Sequence, residues 1–243
     1  KKKIDLVFGA DSNFGIQKRD INLAKKLAEN KKKFGYPNRF TVCYTKNSTE
    51  KVFDLAKIFA EVGMHRGVSV SMQSLNAETL KNIKRDNIKL DFFKSLQRKY
   101  VEADMVTYTE LILPLPGETY ETWKEGIDKL LDSSQHSGLI VYNANVMPNA
   151  ELGNKEYQKK YKIETAKIPL FQAHSDQPMD NVPEYEPIIV GTHSMSTEQW
   201  KKAYKYTVFL QACHYLGLLQ VMSIVLRHEY GISYSDFFEL LIN

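Results

Sequence analysis

Short apolar runs alternate with amphipathic segments over the first part of this 243-residue chain. Strands are predicted where β-branched and aromatic residues cluster between turn-forming residues. Between these runs, apolar residues recur at intervals of three and four, which is typical of helices with one buried face. The alternation predicts βα units around a parallel sheet. The predicted strands are residues 4–8, 39–44, 67–72, 105–113 and 139–143.

The predicted helices have recognisable caps and apolar faces. Ser48, Asn76 and Thr119 are suited to cap three of them, because short polar side chains accept hydrogen bonds from the first backbone N–H groups. The helix after Asn76 is predicted over residues 77–84. The residues predicted to be buried on the helices are Leu23, Leu27, Ala28, Val52, Ala56, Phe59, Ala60, Trp123, Ile127, Leu130 and Leu131.

Five βα units are too few for a closed eight-unit barrel, which needs ~250 residues by itself. We therefore predict an α/β fold for residues 1–153, namely a partial (β/α)6 TIM-like barrel of parallel strands. Residues 154–195 contain Pro169, Pro178, Pro183 and Pro187 and are predicted to form an extended connector.

Residues 196–243 are predicted to form a small helical C-terminal module. Ser196 and Gln199 have the spacing of a capping box at the start of a long helix. A second helix is predicted over residues 218–230, and a third begins near Ser235. The third is expected to bury Phe237, Phe238, Leu240 and Leu241.

Composition excludes several classes of function. The net charge of +4 is small and the charges are mixed, so neither a nucleic-acid nor a membrane partner is predicted. Cys43 and Cys213 form no disulfide framework or zinc motif, which indicates a reducing, cytoplasmic location. The six histidines form no H-x-H or H-E-x-x-H pair, and G-x-G-x-x-G, P-loop and G-x-S-x-G motifs are absent from the sequence.

Polar residues follow several predicted strands, where parallel α/β folds place their binding sites. Each one taken alone is explained as a turn residue, but their recurrence favours a ligand with hydroxyl and charged groups. Glu110 is notable because a carboxylate inside an apolar strand must be paired, hydrogen-bonded or directed into a polar cavity. The candidates are Asp11, Ser12, Asn13, Tyr44, Thr45, Lys46, Asn47, Gln73, Ser74, Glu110, Asn143 and Asn145.

Residues 69–85 (SVSMQSLNAETLKNIKR) and 109–119 (TELILPLPGET) resemble strands four and five of radical S-adenosylmethionine (SAM) enzymes. Residues 11–14 and 141–152 are similar to the second and sixth strand ends of that family. Residues 194–200 and 231–237 resemble the C-terminal regions of its cobalamin-binding branch. Taken without a ligand, the L-P-L-P-G-E-T string is explained as a rigid turn between a strand and a helix.

The resemblance implies a SAM-binding role for individual residues. Gln73 and Ser74 match positions near the ribose and methionine parts of SAM, and Arg85 matches an arginine that pairs with the SAM carboxylate. Glu110 matches an acidic position facing the ribose hydroxyls. Asp11, Ser12 and Asn13 match the region that meets the SAM amino group, and Asn143 completes the predicted cofactor-binding set.

Two departures from the family pattern stand out. Pro114 replaces a glycine of the turn, and the C-x-x-x-C-x-x-C loop that holds the family's [4Fe-4S] cluster is absent, so no metal ligand is assigned. Three thiolates are needed for such a cluster. Because Lys1–Lys3 leads directly into a strand, we expect an N-terminal portion of the polypeptide to be missing, and this chain alone to be unable to cleave SAM.

The resemblance implies that the parent enzyme cleaves SAM reductively to a 5′-deoxyadenosyl radical and modifies an unactivated carbon, with cobalamin-dependent methyl transfer as one outcome. It implies SAM, a [4Fe-4S] cluster and cobalamin as cofactors, an external one-electron reductant, and a small-molecule or peptide substrate. One alternative is a non-catalytic nucleoside- or SAM-binding module that has lost the cluster. Another is an ordinary barrel enzyme acting on a sugar or amide, for which only Glu110 is a well-placed carboxylate.

Overall fold

The computed structural model describes residues 3–45, 50–65, 67–170 and 184–242. The chain divides into two compact units, Lys1–Met72 with Asn87–Glu110 and Leu131–Ile140, and Gln73–Asp86 with Leu111–Leu130 and Val141–Asn243. In chain order the elements are β1 (Leu6–Phe14), α1 (Arg19–Phe34), β2 (Arg39–Tyr44), α2 (Glu50–Ala60), β3 (Val68–Ser69), α3 (Ala77–Asn82), α4 (Leu90–Glu102), β4 (Thr107–Leu113), α5 (Tyr120–Leu131), β5 (Leu139–Asn143), α6 (Lys155–Lys160), β6 (Glu164–Pro169), β7 (Tyr185–Gly191), α7 (Thr197–Leu210), α8 (Gln220–Tyr230) and α9 (Tyr234–Ile242).

The predicted strands are recovered, although β1, β3 and β4 have bounds that differ from those predicted. β2 and β5 have the predicted bounds, whereas β1 continues to Phe14 instead of ending at Phe8. Its parallel register with β2 shifts between Gly9 and Phe14, and Phe14 then pairs with Tyr44 and is buried. The predicted turn at residues 9–13 is therefore an irregular part of β1, because burial of the Phe14 ring favours a return to the ladder.

The predicted α/β class is confirmed, whereas the partial barrel is not. β1 and β2 form a two-stranded sheet, and β3, β4 and β5 lie in that order in a three-stranded sheet. Parallel pairing is present between β1 and β2 and between β3 and β4. Within the described residues, β3 is only two residues long, so it has too short a ladder to join the two sheets into one.

Helix α1 buries the predicted Ala28 and packs the predicted Leu27 partly against the core, but the predicted burial of Leu23 is wrong. Leu23 is 50% exposed, whereas Asp20, Ala24 and Ala28 are buried at a spacing of four residues. The Asp20 Oδ2 atom accepts hydrogen bonds from the backbone N–H groups of Gly15 (2.8 Å) and Gln17 (2.9 Å). This inward-facing carboxylate orients the first turn of the helix and thereby turns Leu23 towards solvent.

The other predicted helical faces are mostly correct. Asn76 caps α3 by accepting a hydrogen bond from the backbone N–H of Glu78. Thr119, directly before α5, accepts one from the backbone N–H of Thr122. The Ser48 cap, Lys46 and Asn47 lie outside the described residues. Helix α4 and the burial of Leu55 were not predicted. The predicted core residues that are buried are Ala28, Val52, Ala56, Phe59, Trp123, Ile127, Leu130 and Leu131.

The predicted connector contains regular structure within the second unit. It forms α6 and the antiparallel pair β6 and β7, and Ile188, Ile189 and Val190 of β7 are buried. Pro169 ends β6 and Pro187 lies within β7, while Pro178 and Pro183 lie outside the described residues. The prolines do not prevent pairing, because β7 is paired with β6 on one side and bonded to residues 144–146 on the other. The Val146 N–H donates to the Pro187 carbonyl (2.9 Å), and the Ile189 N–H donates to the Ala144 carbonyl (2.8 Å). The boundaries of the three predicted domains stay predictions.

The C-terminal helices begin with the predicted capping box between Ser196 and Gln199. A π-helical turn over Gln211–Tyr215 follows α7, and Gly231 ends α8 in the left-handed conformation. In α9, Phe238 is buried, but Leu240 (78%) and Leu241 (45%) are exposed, contrary to prediction. No single helix among the described residues has the length and apolar composition of a membrane span, although the pair Thr197–Tyr215 and Gln220–Tyr230, bent by 94°, meets both criteria together.

Glu239 connects α9 to two other helices of the second unit. Its carboxylate accepts hydrogen bonds from Lys124 of α5 and from Lys202 of α7 (2.9 Å). Both ammonium groups also lie over the Tyr120 ring, at 4.8 and 4.4 Å from its centroid. The two lysines lower the pKa of Glu239 to about 2.

We expect Glu239→Gln to reduce the free energy of unfolding by about 1 kcal/mol near neutral pH. Because the folded-state pKa of Glu239 is below its ordinary value of 4.5, this stabilisation is present above pH 4.5 and is lost as the pH falls towards about 2. Urea unfolding of both proteins along a pH series measures it. The control is Glu198→Gln, which removes an exposed pair with Lys201. Equal effects of the two substitutions would contradict the prediction.

Candidate functional site

A cavity of about 260 Å³ lies in the second unit and brings together two of the predicted cofactor-binding residues, Gln73 and Arg85. It is bordered by the chain after β3, by the segment that follows α3, and by the segment that precedes α6. Its lining also includes Lys84, Leu115, Glu151 and Tyr157.

Two of the lining residues have a left-handed backbone conformation that side chains other than glycine rarely adopt. Gln73 has φ 61° and Lys84 has φ 53°. The Gln73 carbonyl accepts a hydrogen bond from the backbone N–H of Ile112 (2.9 Å), so the strained residue is held against β4. Such strain costs of order 1–3 kcal/mol per residue and is often found at binding sites. The conformation of Lys84 is that of an ordinary helix end, because the N–H of Lys84 bonds to Lys81 (3.2 Å) and that of Arg85 to Leu80 (2.9 Å) at the end of α3. The strain at this cavity is therefore that of Gln73.

Arg85 has an unsatisfied buried donor. Its Nε atom is buried without a hydrogen-bond partner, and the guanidinium makes no ion pair among the described residues. Burial lowers the pKa of the guanidinium, which nevertheless stays charged at any physiological pH. A buried donor without a partner is costly, and an anion bound in the cavity would satisfy it.

The other cation of the cavity is already paired. Lys84 Nζ lies 2.6 Å from Glu151 Oε1, and this bond raises the pKa of Lys84. Both side chains are largely exposed, so the pair contributes little to stability. Since Glu151 neutralises Lys84, Arg85 is the better candidate for recognition of an anion.

Ser74 is buried and has an internal partner. Its hydroxyl donates a hydrogen bond to Glu118 Oε2 and accepts one from the backbone N–H of Asn76 (3.0 Å). Glu118 also accepts a hydrogen bond from the Thr122 hydroxyl (2.6 Å), and burial raises the pKa of its carboxyl group. These contacts give Ser74 a structural task, and its cofactor-binding role stays a prediction.

The turn between β4 and α5 lies directly against α3. Asn76 Nδ2 donates to the carbonyl of Gly117 (3.0 Å), and Gly117 N–H donates to the Ser194 hydroxyl (2.9 Å). Gly117 has φ 100°, and a Cβ atom there would lie 2.8 Å from Asn82 Nδ2. The contacts show that the turn fits closely against α3, as expected of a rigid strand-to-helix turn.

Glu110 belongs to the first unit, where its carboxylate is hydrogen-bonded. Its Oε2 atom accepts hydrogen bonds from Ser69 (2.8 Å) and from Ser71 on the neighbouring strand segment. The prediction that this carboxylate requires polar partners is therefore confirmed. Its contact with a ribose stays a prediction.

Asp11, Ser12 and Asn13 are hydrogen-bonded to one another, whereas Asn143 has an unsatisfied acceptor. Asn13 donates its backbone N–H to Asp11 Oδ1 (2.9 Å) and its side-chain amide to the Ser12 hydroxyl (3.1 Å), all at exposed positions. Asn143, at the end of β5, has a buried Oδ1 atom without a hydrogen-bond partner. An unsatisfied acceptor at a strand end is compatible with ligand binding.

The residues of this chain do not fit a [4Fe-4S] cluster. Cys43 is exposed in the first unit, Cys213 is buried in the second, and the sequence has no third cysteine. Among the described residues, no group of three or more His, Cys, Asp or Glu side chains is arranged to hold a metal ion. His214 is a buried core residue, and its Nδ1 atom is hydrogen-bonded to the Ser223 hydroxyl (2.9 Å).

Sequence reasoning missed Lys84, Glu151 and Tyr157 as cavity residues. In the sequence, Lys84 has the pattern of a solvent-exposed lysine at the end of a helix, and Glu151 and Tyr157 lie beyond the predicted sheet. The only signal was the placement of Glu151 within residues 141–152, a segment that already resembled the radical SAM family.

We expect Gly117→Ala to destabilise the protein by about 3 kcal/mol, because it combines an unfavourable φ with the close contact to Asn82. Gly231→Ala is the matched control, since Gly231 has φ 69° and nothing within 4 Å of an added Cβ. It is expected to cost about 1 kcal/mol. Urea unfolding compares the two, and equal losses would show that the packing of Gly117 against α3 is unimportant.

Comparison with known proteins identifies two curated relatives. The chain is 34% identical over 236 residues to the cobalamin-dependent radical SAM methyltransferase TokK of Streptomyces tokunonensis, covering 97% of this chain and 34% of TokK. It is 32% identical over 238 residues to the 2-(S-pantetheinyl)-carbapenam-3-carboxylate methyltransferase of Streptantibioticus cattleyicolor, covering 98% of this chain and 35% of that protein. No family model matches the chain.

Similar solved structures include the radical S-adenosylmethionine methyltransferase TsrM from Kitasatospora setae. With cobalamin and a [4Fe-4S] cluster bound, it is 20% identical, with a TM-score of 0.47, over 61% of this chain and 28% of TsrM. With tryptophan and a SAM analogue bound, it is 20% identical, with a TM-score of 0.48, over 70% of this chain and 33% of TsrM.

The chain spans about a third of the length of the curated relatives it matches. The matches cover 97% and 98% of this chain. By sequence, the chain is therefore related to the cobalamin-dependent radical SAM methyltransferases, which confirms the predicted resemblance.

Proposed function

We propose that the protein containing this chain is a cobalamin-dependent radical SAM methyltransferase that methylates a carbon atom of a small molecule. The observation that carries the proposal is sequence identity above 30% to two methyltransferases over at least 97% of the chain. The proposal includes a partial TIM-like barrel over residues 1–153, with strand ends that contribute to SAM binding. It also includes a location in the cytoplasm.

The cavity beside Arg85 is proposed to bind the methionyl end of SAM. Its volume of about 260 Å³ is below the range of about 300–1,000 Å³ that is usual for complete ligand sites, so it suits one end of a cofactor. The Arg85 guanidinium would meet the carboxylate with parallel hydrogen bonds and satisfy its buried Nε. Gln73 lines the same cavity and would contact the adjoining atoms.

The other candidates are proposed for the remaining parts of the cofactor. Glu110, whose Oε2 atom accepts hydrogen bonds from Ser69 and Ser71, is proposed to accept hydrogen bonds from the ribose hydroxyls as well. Asn143 would accept a hydrogen bond at its unsatisfied Oδ1. Asp11, Ser12 and Asn13 would meet the SAM amino group, and Ser74 would support the site through Glu118.

When bound, SAM supplies the methyl group. This chain provides no cysteine set for the iron–sulfur cluster, so the cluster ligands are assigned to other parts of the polypeptide. An external one-electron reductant is also required by the proposal. The name of one relative specifies a pantetheinylated carbapenam carboxylate, which makes thioether-bearing β-lactam carboxylates the first substrate class to assay.

The activity is tested with the full-length protein, reconstituted anaerobically with iron, sulfide and cobalamin. The protein is incubated with SAM carrying a deuterated methyl group, a chemical reductant and the carbapenam substrate. Mass spectrometry is expected to show transfer of the labelled methyl group to carbon. If reduction yields neither 5′-deoxyadenosine nor S-adenosylhomocysteine while SAM still binds, the non-catalytic SAM-binding alternative replaces this proposal.

The role of Arg85 is tested with two ligands that differ in the amino-acid portion. S-Adenosylhomocysteine has the carboxylate, and 5′-methylthioadenosine lacks it. We expect Arg85→Ala to weaken S-adenosylhomocysteine binding about tenfold or more, the usual effect of losing a charge-assisted bond, and to leave methylthioadenosine binding unchanged. Titration calorimetry on the full-length protein measures both.

Arg98→Ala is the matched control, since Arg98 is an exposed residue of α4 in the first unit. It should leave both affinities unchanged. Equal affinities of wild-type and Arg85→Ala proteins for S-adenosylhomocysteine would remove Arg85 from the proposed binding site.

A further inference from the structure

Asn82, the last residue of α3, connects three segments of the second unit. Its Nδ2 atom donates a hydrogen bond to the carbonyl of Pro116 (3.1 Å), in the turn between β4 and α5. Its Oδ1 atom accepts one from the hydroxyl of Tyr161 (3.1 Å), and its backbone carbonyl accepts one from Tyr157 (3.0 Å). Asn82 therefore joins the end of α3 both to that turn and to the end of α6.

Arg85 follows Asn82 by three residues along a tightly folded segment. The backbone N–H of Ile83 bonds to Thr79 (3.0 Å), that of Lys84 to Lys81 (3.2 Å) and that of Arg85 to Leu80 (2.9 Å). These bonds leave little freedom between Asn82 and Arg85. Because the bonds tie the backbone of Arg85 to the end of α3, a displacement of that end, which Asn82 fastens to the neighbouring segments, would move Arg85 as well.

The surroundings of Asn82 are firm enough to fix its position. Gly117 leaves little space beside the side-chain amide, because an added Cβ would come within 2.8 Å of Nδ2. Tyr161 is 7% exposed, so its hydroxyl bond is shielded from competing water. Burial raises the pKa of Tyr157 to about 12, and its hydroxyl therefore remains a donor throughout the physiological range.

We propose that Asn82 is a positioning residue that sets the direction of Arg85 towards a carboxylate-bearing ligand. The inference rests on the proposed function, in which Arg85 binds the carboxylate of SAM. Asn82 itself does not line the cavity among the described residues, so its effect on binding passes through the segment from Ile83 to Arg85. The exposed pair between Lys84 and Glu151 is too weak to hold this segment alone.

The experiment compares the affinities of S-adenosylhomocysteine and 5′-methylthioadenosine in the full-length protein by titration calorimetry. Asn82→Ala is expected to weaken S-adenosylhomocysteine binding about tenfold and methylthioadenosine binding less than about twofold. In the double variant with Arg85→Ala, the Asn82 substitution should cause no further loss, because the two residues act as one unit.

Tyr161→Phe is the milder variant, because it removes only the hydroxyl that bonds to Asn82 Oδ1 and keeps the buried ring. A selective loss of about threefold in S-adenosylhomocysteine affinity is expected. Tyr185→Phe is its control, since Tyr185 is 56% exposed at the start of β7. If Asn82→Ala does not fold, Tyr161→Phe decides the question.

The ratio of the two affinities separates positioning from general stability, because simple loss of folded protein would lower both alike. An equal loss for both ligands, or no loss for either, would overturn the inference even though a selective Arg85→Ala effect sustains the proposed function. If Arg85→Ala is itself unselective, the SAM role of the cavity and the Asn82 inference both fail.

Discussion

The close packing of α3 against the turn between β4 and α5 is the constraint on which the candidate site depends. Glu118, buried in this turn, is hydrogen-bonded to Ser74, and the carbonyls of Pro116 and Gly117 accept bonds from Asn82 and Asn76. Only glycine at position 117 permits this approach. The polar groups of the turn are thus hydrogen-bonded to the segment that precedes Arg85. Because these groups are largely buried, loss of a bond would lower the stability of the protein.

The site combines stored strain with an unsatisfied charge. Gln73 adopts an unfavourable backbone conformation, and Arg85 retains a buried donor without a partner. Each feature lowers the stability of the second unit, and together they are arranged around one small cavity. A bound anion would recover part of this cost, which is the physical reason for proposing carboxylate recognition here. The iron–sulfur cluster requires ligands that this chain does not contain.

Much of the fold was predictable because its signals are local. The caps Asn76 and Ser196 and the buried face of α5 follow from hydrogen-bonding groups and apolar spacing within one helix. The errors arose where contacts with residues far away in the sequence determine the structure. Asp20 turns Leu23 outwards by bonding to the chain before α1. Pairing with β6 and bonding to residues 144–146 keep β7 a strand in spite of its proline. The need of Glu110 for polar partners could be predicted from its apolar neighbours in the sequence, whereas the position of Lys84 in the cavity lining could not.

The amino-acid sequence alone determined the alternation of strands and helices, the relation to radical SAM enzymes, and the candidacy of Gln73 and Arg85. These conclusions depend on short-range spacing and on residue chemistry, both of which can be read along the chain. Tertiary structure alone decided that Gln73 and Arg85 share one cavity, that Ser74 serves Glu118, and that Asn82 connects α3 to the neighbouring turn and α6. The physical reason is that burial and hydrogen-bond satisfaction depend on segments far apart in sequence, whose mutual contacts no local pattern encodes.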